Sequence, residues 1–346
     1  MQQFSSPFIG QYYLYIHGIL SQYLSQALNS PISLLLSLLL FTVILSVMLS
    51  LFAYTFGWAE RKIIARIQAR RGPTYVGKYG FFQNFADLVK LLSKESVTLT
   101  EADRPIFKSV LPLLVAIFFL MLVFIPFDSS FVGIGASMAL IILFLLLSFT
   151  PLLVLLAGWS SGNKFGFISS QRSVVMLVSY EIPLIIVLST VAMLSHSFDL
   201  SAIVQAQKTV WFAALMPLGF LIFFIVLLAE LERPPFDIRE ADSELIAGWM
   251  TDLSAPSYAI VLLLDYMRVF VGSLLLAILF LGGWNGPILP SAAWMAVKVI
   301  AISVAVVFIR ASTVRMRLDK LLKLGWKYLL PLSIINFLLY FLVFLR

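Results

Sequence analysis

The chain has 346 residues, of which 61% are hydrophobic and only 12% charged, with a formal net charge of +7 and a mean hydropathy of +1.01. That balance excludes a soluble globular domain and defines a membrane protein, with no feature that calls for nucleic acid. Cysteine is absent and the two histidines are His17 and His196, so the chain itself cannot ligate an iron–sulfur cluster or a thiolate zinc site, and no metal site is expected.

The first 30 residues contain no Lys or Arg and so lack the charged segment of a secretory signal. Tyr12, Ile16, Ile19, Tyr23 and Ala27 recur there at helical spacing opposite Gln and Ser, a pattern suited to lying on a membrane or a partner. Apolar runs long enough to cross roughly 30 Å of hydrocarbon as helices follow at 31–55, 109–127, 133–157, 174–195, 211–229, 256–281, 289–309 and 328–345. They are continuously apolar instead of alternating, which favours helices over barrel strands. The expected fold is therefore an all-α membrane protein of eight transmembrane helices, a single domain over 1–346.

The loop after the first run carries Arg61, Lys62, Arg66, Arg70 and Arg71, then Phe81, Phe82, Phe85, Leu88, Val89 and Leu92 interleaved with polar residues. That spacing predicts an interfacial amphipathic helix beside a basic cluster, the usual recipe for attraction to anionic headgroups. Twenty of the 24 basic residues fall in the loops after runs one, three, five and seven. The positive-inside rule puts those loops in the cytoplasm or its equivalent and the N-terminus outside.

Three apolar runs contain ionisable groups: Glu181, the Asp265 and Arg268 pair one helical turn apart, and Lys298. Insertion energies alone do not make these functional, because about 2.5–3.5 kcal/mol per charge is offset by about five to seven Leu or Ile in a span of some twenty apolar residues. Asp265 and Arg268 can face and neutralise each other, whereas an isolated intramembrane acid such as Glu181 points to a proton or ion path. The stretch AELERPPFDIREADSELIAGWMTD at 229–252 holds Glu230, Glu232, Asp237, Glu240, Asp242, Glu244 and Asp252 against two arginines. Two successive prolines end the helix there. Crowded carboxylates raise one another's pKa values and bring some within reach of proton exchange near neutrality; a solvated acidic face that docks a basic partner is the alternative.

Five blocks, ERKIIARIQARRGPTYVGKYGFFQNFADLVKLLSKE (60–95), GWSSGNKFGFISSQRSVVMLVSYE (158–181), AELERPPFDIREADSELIAGW (229–249), LGGWNGP (281–287) and RASTVRMRLDKLLKLGWKYLLPL (310–332), resemble the H-subunit of respiratory complex I, the NADH dehydrogenase subunit 1 type. The resemblance runs from about residue 50 to the end. It implies a multi-pass subunit of the cell membrane, or of the mitochondrial inner membrane, that carries no redox centre itself. With peripheral-arm iron–sulfur and quinone-site subunits, such a subunit forms a chamber where a lipid quinone is reduced. Its antiporter-like membrane neighbours pump protons. By this resemblance Glu230, Arg233, Asp237, Glu240, Asp242, Glu244 and Asp252 match the family's acidic loop, Glu181 its buried glutamate and Asp265 a carboxylate of span six. Arg61, Arg66, Arg70 and Arg71 match the basic loop facing quinone or partner, and the helix bearing Phe81 and Phe85 would flank the quinone entrance.

The chain departs from the family pattern at Lys78 and Arg239, where proline is common, and at Glu232, where a neutral residue is common. Related assemblies use the same type of subunit with methanophenazine, or in membrane-bound hydrogenases and sulfur reductases with no quinone. A stand-alone secondary transporter would need an internal repeat and Gly/Pro-broken helices, for which Pro183 and Pro217 are the nearest candidates. A passive anchor for a soluble redox arm would leave Glu181 without a task.

Overall fold

A computed structural model describes residues 31–344 except 98, 129–131, 241 and 288, with the backbone alone at 31–38, 242, 243, 343 and 344. The amphipathic pattern at 12–27 and His17 lie outside the described residues. Those described are helical or connecting, without a strand. Seven helices are long and apolar enough to span a membrane. Six of them are α1 (Pro31–Ile67), α3 (Arg104–Phe124), α4 (Ala139–Ser160), α5 (Lys164–Ser195), α10 (Ala255–Phe280) and α11 (Ser291–Ser312). The seventh begins as α12 (Leu318–Lys323), widens to a π-turn at Leu324–Leu329 and continues as α13 (Leu330–Phe344).

Several helices outrun their apolar cores, because a helix continues through charged residues once it leaves hydrocarbon: α1 persists to Ile67 and α5 begins at Lys164. The apolar stretch 211–229 behaves differently. Pro217 supplies no N–H and bars the residue before it from the helical basin. Met216 accordingly sits at φ −129, ψ 72, dividing the stretch into α7 (Phe212–Leu215) and α8 (Pro217–Glu230). At 14 residues, α8 is about 21 Å long.

α10 is the centre of the bundle. Every residue from Met267 to Phe280 is buried, and the helix packs against α11, α3 and α1. Its end is tied down by Lys298 of α11, whose ammonium donates to the carbonyls of Leu281, Gly283 and Asn285 at 2.7, 2.7 and 2.8 Å. Three donors meet three acceptors, and the positive charge faces the negative end of the helix dipole. Gly282 and Gly283, at φ +71 and +50, let the chain curl around that ammonium.

The first-loop helix is α2 (Gln83–Leu92), entered through a tight turn at Lys78–Gly80. Gly80 has φ +70, and a Cβ there would lie 2.3 Å from the Pro73 carbonyl, so only glycine permits this fold-back. Asn84 Nδ2 donates to the Tyr54 carbonyl at 2.9 Å and Tyr54 donates to the Phe81 carbonyl at 2.7 Å, which moors the helix to α1. Phe85, Leu88, Val89 and Leu92 remain exposed.

Candidate functional site

The site is organised by the connection that follows α8. Glu230 closes that helix, and Glu232 then adopts φ +51, a left-handed conformation that a glutamate rarely takes. The reversal turns its carboxylate back into the protein, where it pairs with Arg268 of α10 and Arg239 of the loop and accepts from Ser173 Oγ of α5 at 3.1 Å. Burial would push the Glu232 carboxyl up. The two guanidiniums and the hydrogen bonds from Arg268 and Ser173 outweigh it and hold the group below its ordinary range. The pairing of Asp265 with Arg268 that one helical turn permits is not the one adopted, because Arg268 turns to Glu232.

Arg239 is the other fixed point. Only 2% of its side chain is exposed; its guanidinium lies 5.3 Å above the Trp249 ring and reaches Glu240 Oε1 at 3.2 Å. Its carbonyl accepts from Ser169 Oγ at 2.8 Å, and the same hydroxyl accepts from the Trp249 N–H at 3.1 Å. Glu232 and Arg239 are thus partners in one buried ion pair.

Around this pair the remaining charges sort into three groups. The first is an interior series. Glu181 accepts from Ser148 Oγ at 2.6 Å. Glu230 feels Glu232, Arg268 and Glu181, and lines an apolar cavity with Phe118, Thr150 and Arg268. Glu240 feels Asp265, Arg239, Asp237 and Glu232, and burial followed by the Asp265 charge pushes its carboxyl up to about 7. Arg233 lies between Glu60, at 3.6 Å, and the charge of Asp265, with its guanidinium 5.9 Å above the Tyr266 ring.

The second group is paired at the rim. Asp237 Oδ2 accepts from Arg315 at 2.8 Å and the half-exposed Glu244 accepts from Arg172 at 2.7 Å. Asp252 takes a third position at the start of α5, where its Oδ1 accepts from Asn163 Nδ2 at 3.1 Å while Asn163 Oδ1 caps that helix. The side chain of Asp242 lies outside the described residues. The structure therefore brings Glu181, Glu230, Glu240 and Asp265 into one series and keeps Asp237, Glu244 and Asp252 in separate contacts.

The basic first loop divides as well. Arg61 pairs with Asp87 of α2 at 2.6 Å, and burial of Asp87 is outweighed by this contact, which holds its carboxyl down. Arg70 and Arg71 line two open clefts of about 490 and 650 Å³, the second also lined by Arg66. Phe81 packs edge-on against Tyr54 and Trp58. Phe85 instead lines a groove of about 580 Å³ between α1, α2 and α10, together with Tyr54, Leu88, Leu92, Leu263 and Tyr266. Tyr266 is where the groove meets the charged series, since Arg233 lies over its ring.

Sequence reasoning missed Glu60, which is 4% exposed and pairs with Arg310 of α11 as well as Arg233. Its signal was available, as a lone acid among bases just beyond the first apolar run. Arg172, Arg315, Ser148 and Ser173 carried no such signal, because their partners lie 33 to 78 residues away in the chain. Among the described residues no three His, Asp or Glu converge as a metal-binding group.

The profile of a family described as NADH dehydrogenase matches residues 39–341. The chain belongs to this family, as an H-subunit. It is 38% identical over 283 residues to the NADH-quinone oxidoreductase H-subunit of Dehalococcoides mccartyi strain CBDB1, covering 81% of this chain and 79% of the relative. The H-subunit of Geobacillus kaustophilus is 39% identical over 289 residues, 81% of this chain and 86% of the relative. That of Bacillus cytotoxicus is 38% identical over 284 residues, 80% and 85%. Membership makes this H-subunit a membrane protein of the complex I type.

Two outcomes follow from the electrostatics. Glu232→Gln leaves two buried guanidiniums facing a neutral amide and will cost about 3–5 kcal/mol, read as a lowered unfolding temperature of the purified assembly. Glu232→Gln combined with Arg239→Gln will recover part of that loss; equal losses would mean that Arg239 is not held by Glu232. Glu240 has a folded-state pKa of about 7 against 4.5 for the free side chain. Its neutral form therefore favours the fold, a contribution complete below about 4.5 and lost as pH rises through about 7. Glu240→Gln will flatten the pH dependence of thermal stability across that window.

Proposed function

We propose that this H-subunit is the membrane part of an ion-pumping respiratory oxidoreductase, where it closes a quinone chamber with peripheral-arm subunits and couples quinone reduction to proton translocation. The observation that carries this reading is the junction at Tyr266, which has an apolar groove on one side and the Arg233, Asp265 and Glu240 charges on the other. The groove suits a lipid-soluble tail and headgroup: its lining is mainly aliphatic and aromatic, with polar atoms at Arg61, Asn84 and Asp87.

Reduction of a quinone to a quinol takes two electrons and two protons. Partner iron–sulfur subunits would supply the electrons. Protons drawn beside Tyr266 change the charge felt by Asp265 and Glu240, and an acid poised near 7 responds to such a change by gaining or losing its own proton. From Glu240 the perturbation passes through the Arg239–Glu232–Arg268 cluster to Glu230 and then Glu181, toward antiporter-like membrane neighbours. Asp237, Glu244 and Asp252 serve the shape of the loop and its partner-facing rim. Arg66, Arg70 and Arg71, in open clefts, suit a peripheral-arm surface.

In the same reading α7 and α8 together make an eighth crossing, the long basic loops face the cytoplasm and α2 lies in the membrane interface with Phe85, Leu88 and Leu92 toward lipid. Two variants of the assembled complex test the proposal. Leu88→Trp will raise KM for a long-tailed quinone more than for a short one; equal effects would remove the groove as entrance. Glu181→Gln will assemble and reduce quinone yet lose proton translocation, and full translocation in that variant would refute the relay.

A further inference from the structure

The break in the fifth apolar stretch has a polar neighbour that the proposed relay does not use. On α13, Ser333, Asn336 and Tyr340 follow one another at helical spacing. Ser333 and Asn336 are both fully buried. Ser333 Oγ is satisfied within its own helix by the Leu330 carbonyl at 2.7 Å. Tyr340 donates to the Leu215 carbonyl, the last residue of α7. Asn336 stands between them with neither its Oδ1 nor its Nδ2 engaged.

That amide is aimed at the start of α8. A Cβ added to Gly219 would lie 3.1 Å from Asn336 Nδ2, 3.3 Å from Oδ1 and 3.4 Å from Met216 Sδ, so the missing side chain at 219 is what admits the amide. The first N–H groups of a helix have no intrahelical acceptor, and Leu218 and Gly219 hold that position in α8. Pro217 brings no N–H to the carbonyls of α7. Beside Gly219 the amide thus presents an N–H and an oxygen with no partner, next to the first N–H groups of α8.

An anion would meet the amide oxygen, and a cation would meet the N–H groups. A small neutral group that both gives and takes hydrogen bonds matches the set. We propose that the break at Met216–Pro217 and the side chain of Asn336 form a buried binding site for water. A broken helix persists in an apolar bundle when side chains or ordered water take up its freed backbone groups, and a buried water is stable with two to four polar partners. The site lies on the α8–α13 face, at the end of the bundle bearing the 207–211 connection, away from the acidic loop.

X-ray radiolytic footprinting of the assembled complex tests this, because hydroxyl radicals generated from a bound water oxidise the side chains beside it. Met216 and Met121 are both completely buried, and only Met216 borders the site. Met216 is expected to be oxidised several-fold faster than Met121. Asn336→Leu, which keeps the volume and removes the hydrogen-bonding groups, is expected to bring Met216 down to the rate of Met121, as is Gly219→Ala, which drives the amide into the space. Equal oxidation of the two methionines in the unaltered protein overturns the proposal, as does a Met216 rate unchanged by Asn336→Leu. The labelling needs neither turnover nor quinone, so its failure is separable from failure of the quinone reading.

Discussion

A guanidinium withdrawn from water must find an anion, and Arg268 finds Glu232. From that pairing much of the inner end of the bundle follows. Glu232 reaches Arg268 only by reversing the chain immediately after α8, and the reversal sets the path of the loop through the two prolines. Arg239 closes on the same carboxylate from the far side and is fixed in turn by Trp249, Ser169 and α5. A segment rich in charge, which by composition alone would be solvated and mobile, is thereby packed against α5 and α10 with its central arginine buried.

The ion pairs also decide which acids are held in one charge state. Two guanidiniums hold Glu232 in its anionic form, so it is an anchor. Asp237 and Glu244 are tied to Arg315 and Arg172 at the rim. Glu240 shares Arg239 with Glu232 and faces the charge of Asp265, and it is the loop acid whose two protonation states come close in energy near neutral pH. Environment, not residue type, separates the two carboxyls, one held down by guanidiniums and the other pushed up by burial and a neighbouring acid.

Much of the architecture was legible in the sequence because hydrocarbon imposes a length and a polarity on every crossing. The positions of the long spans and the first-loop helix follow from apolar run length and periodicity, whereas of the two prolines singled out as candidate breaks Pro217 divides its stretch and Pro183 lies inside the unbroken α5. Pairing was less legible. Asp265 and Arg268 are neighbours in sequence and on one helix face, yet the 36-residue separation between Glu232 and Arg268 carries the actual contact. Helical spacing shows which groups can meet within a helix; it is silent on what another segment delivers to the same place. The acidic stretch was visible as a concentration of charge, but its division into anchor, rim and interior groups depends on arginines scattered from Arg172 to Arg315.

Glu60 shows how the groove and the charged series are held in register. It stands on α1, whose other face moors α2 through Tyr54, and it pairs with Arg310 of α11 and Arg233 of the acidic loop. Arg233 in turn covers Tyr266 of α10. One carboxylate therefore links the helix that forms a groove wall, the helix behind it and the loop that carries the titratable acids. A shift of α1 that widens or narrows the groove must also move the counter-charge of Arg233, because the same rigid helix bears both. The width of the groove and the position of Arg233 beside Asp265 are thus mechanically connected.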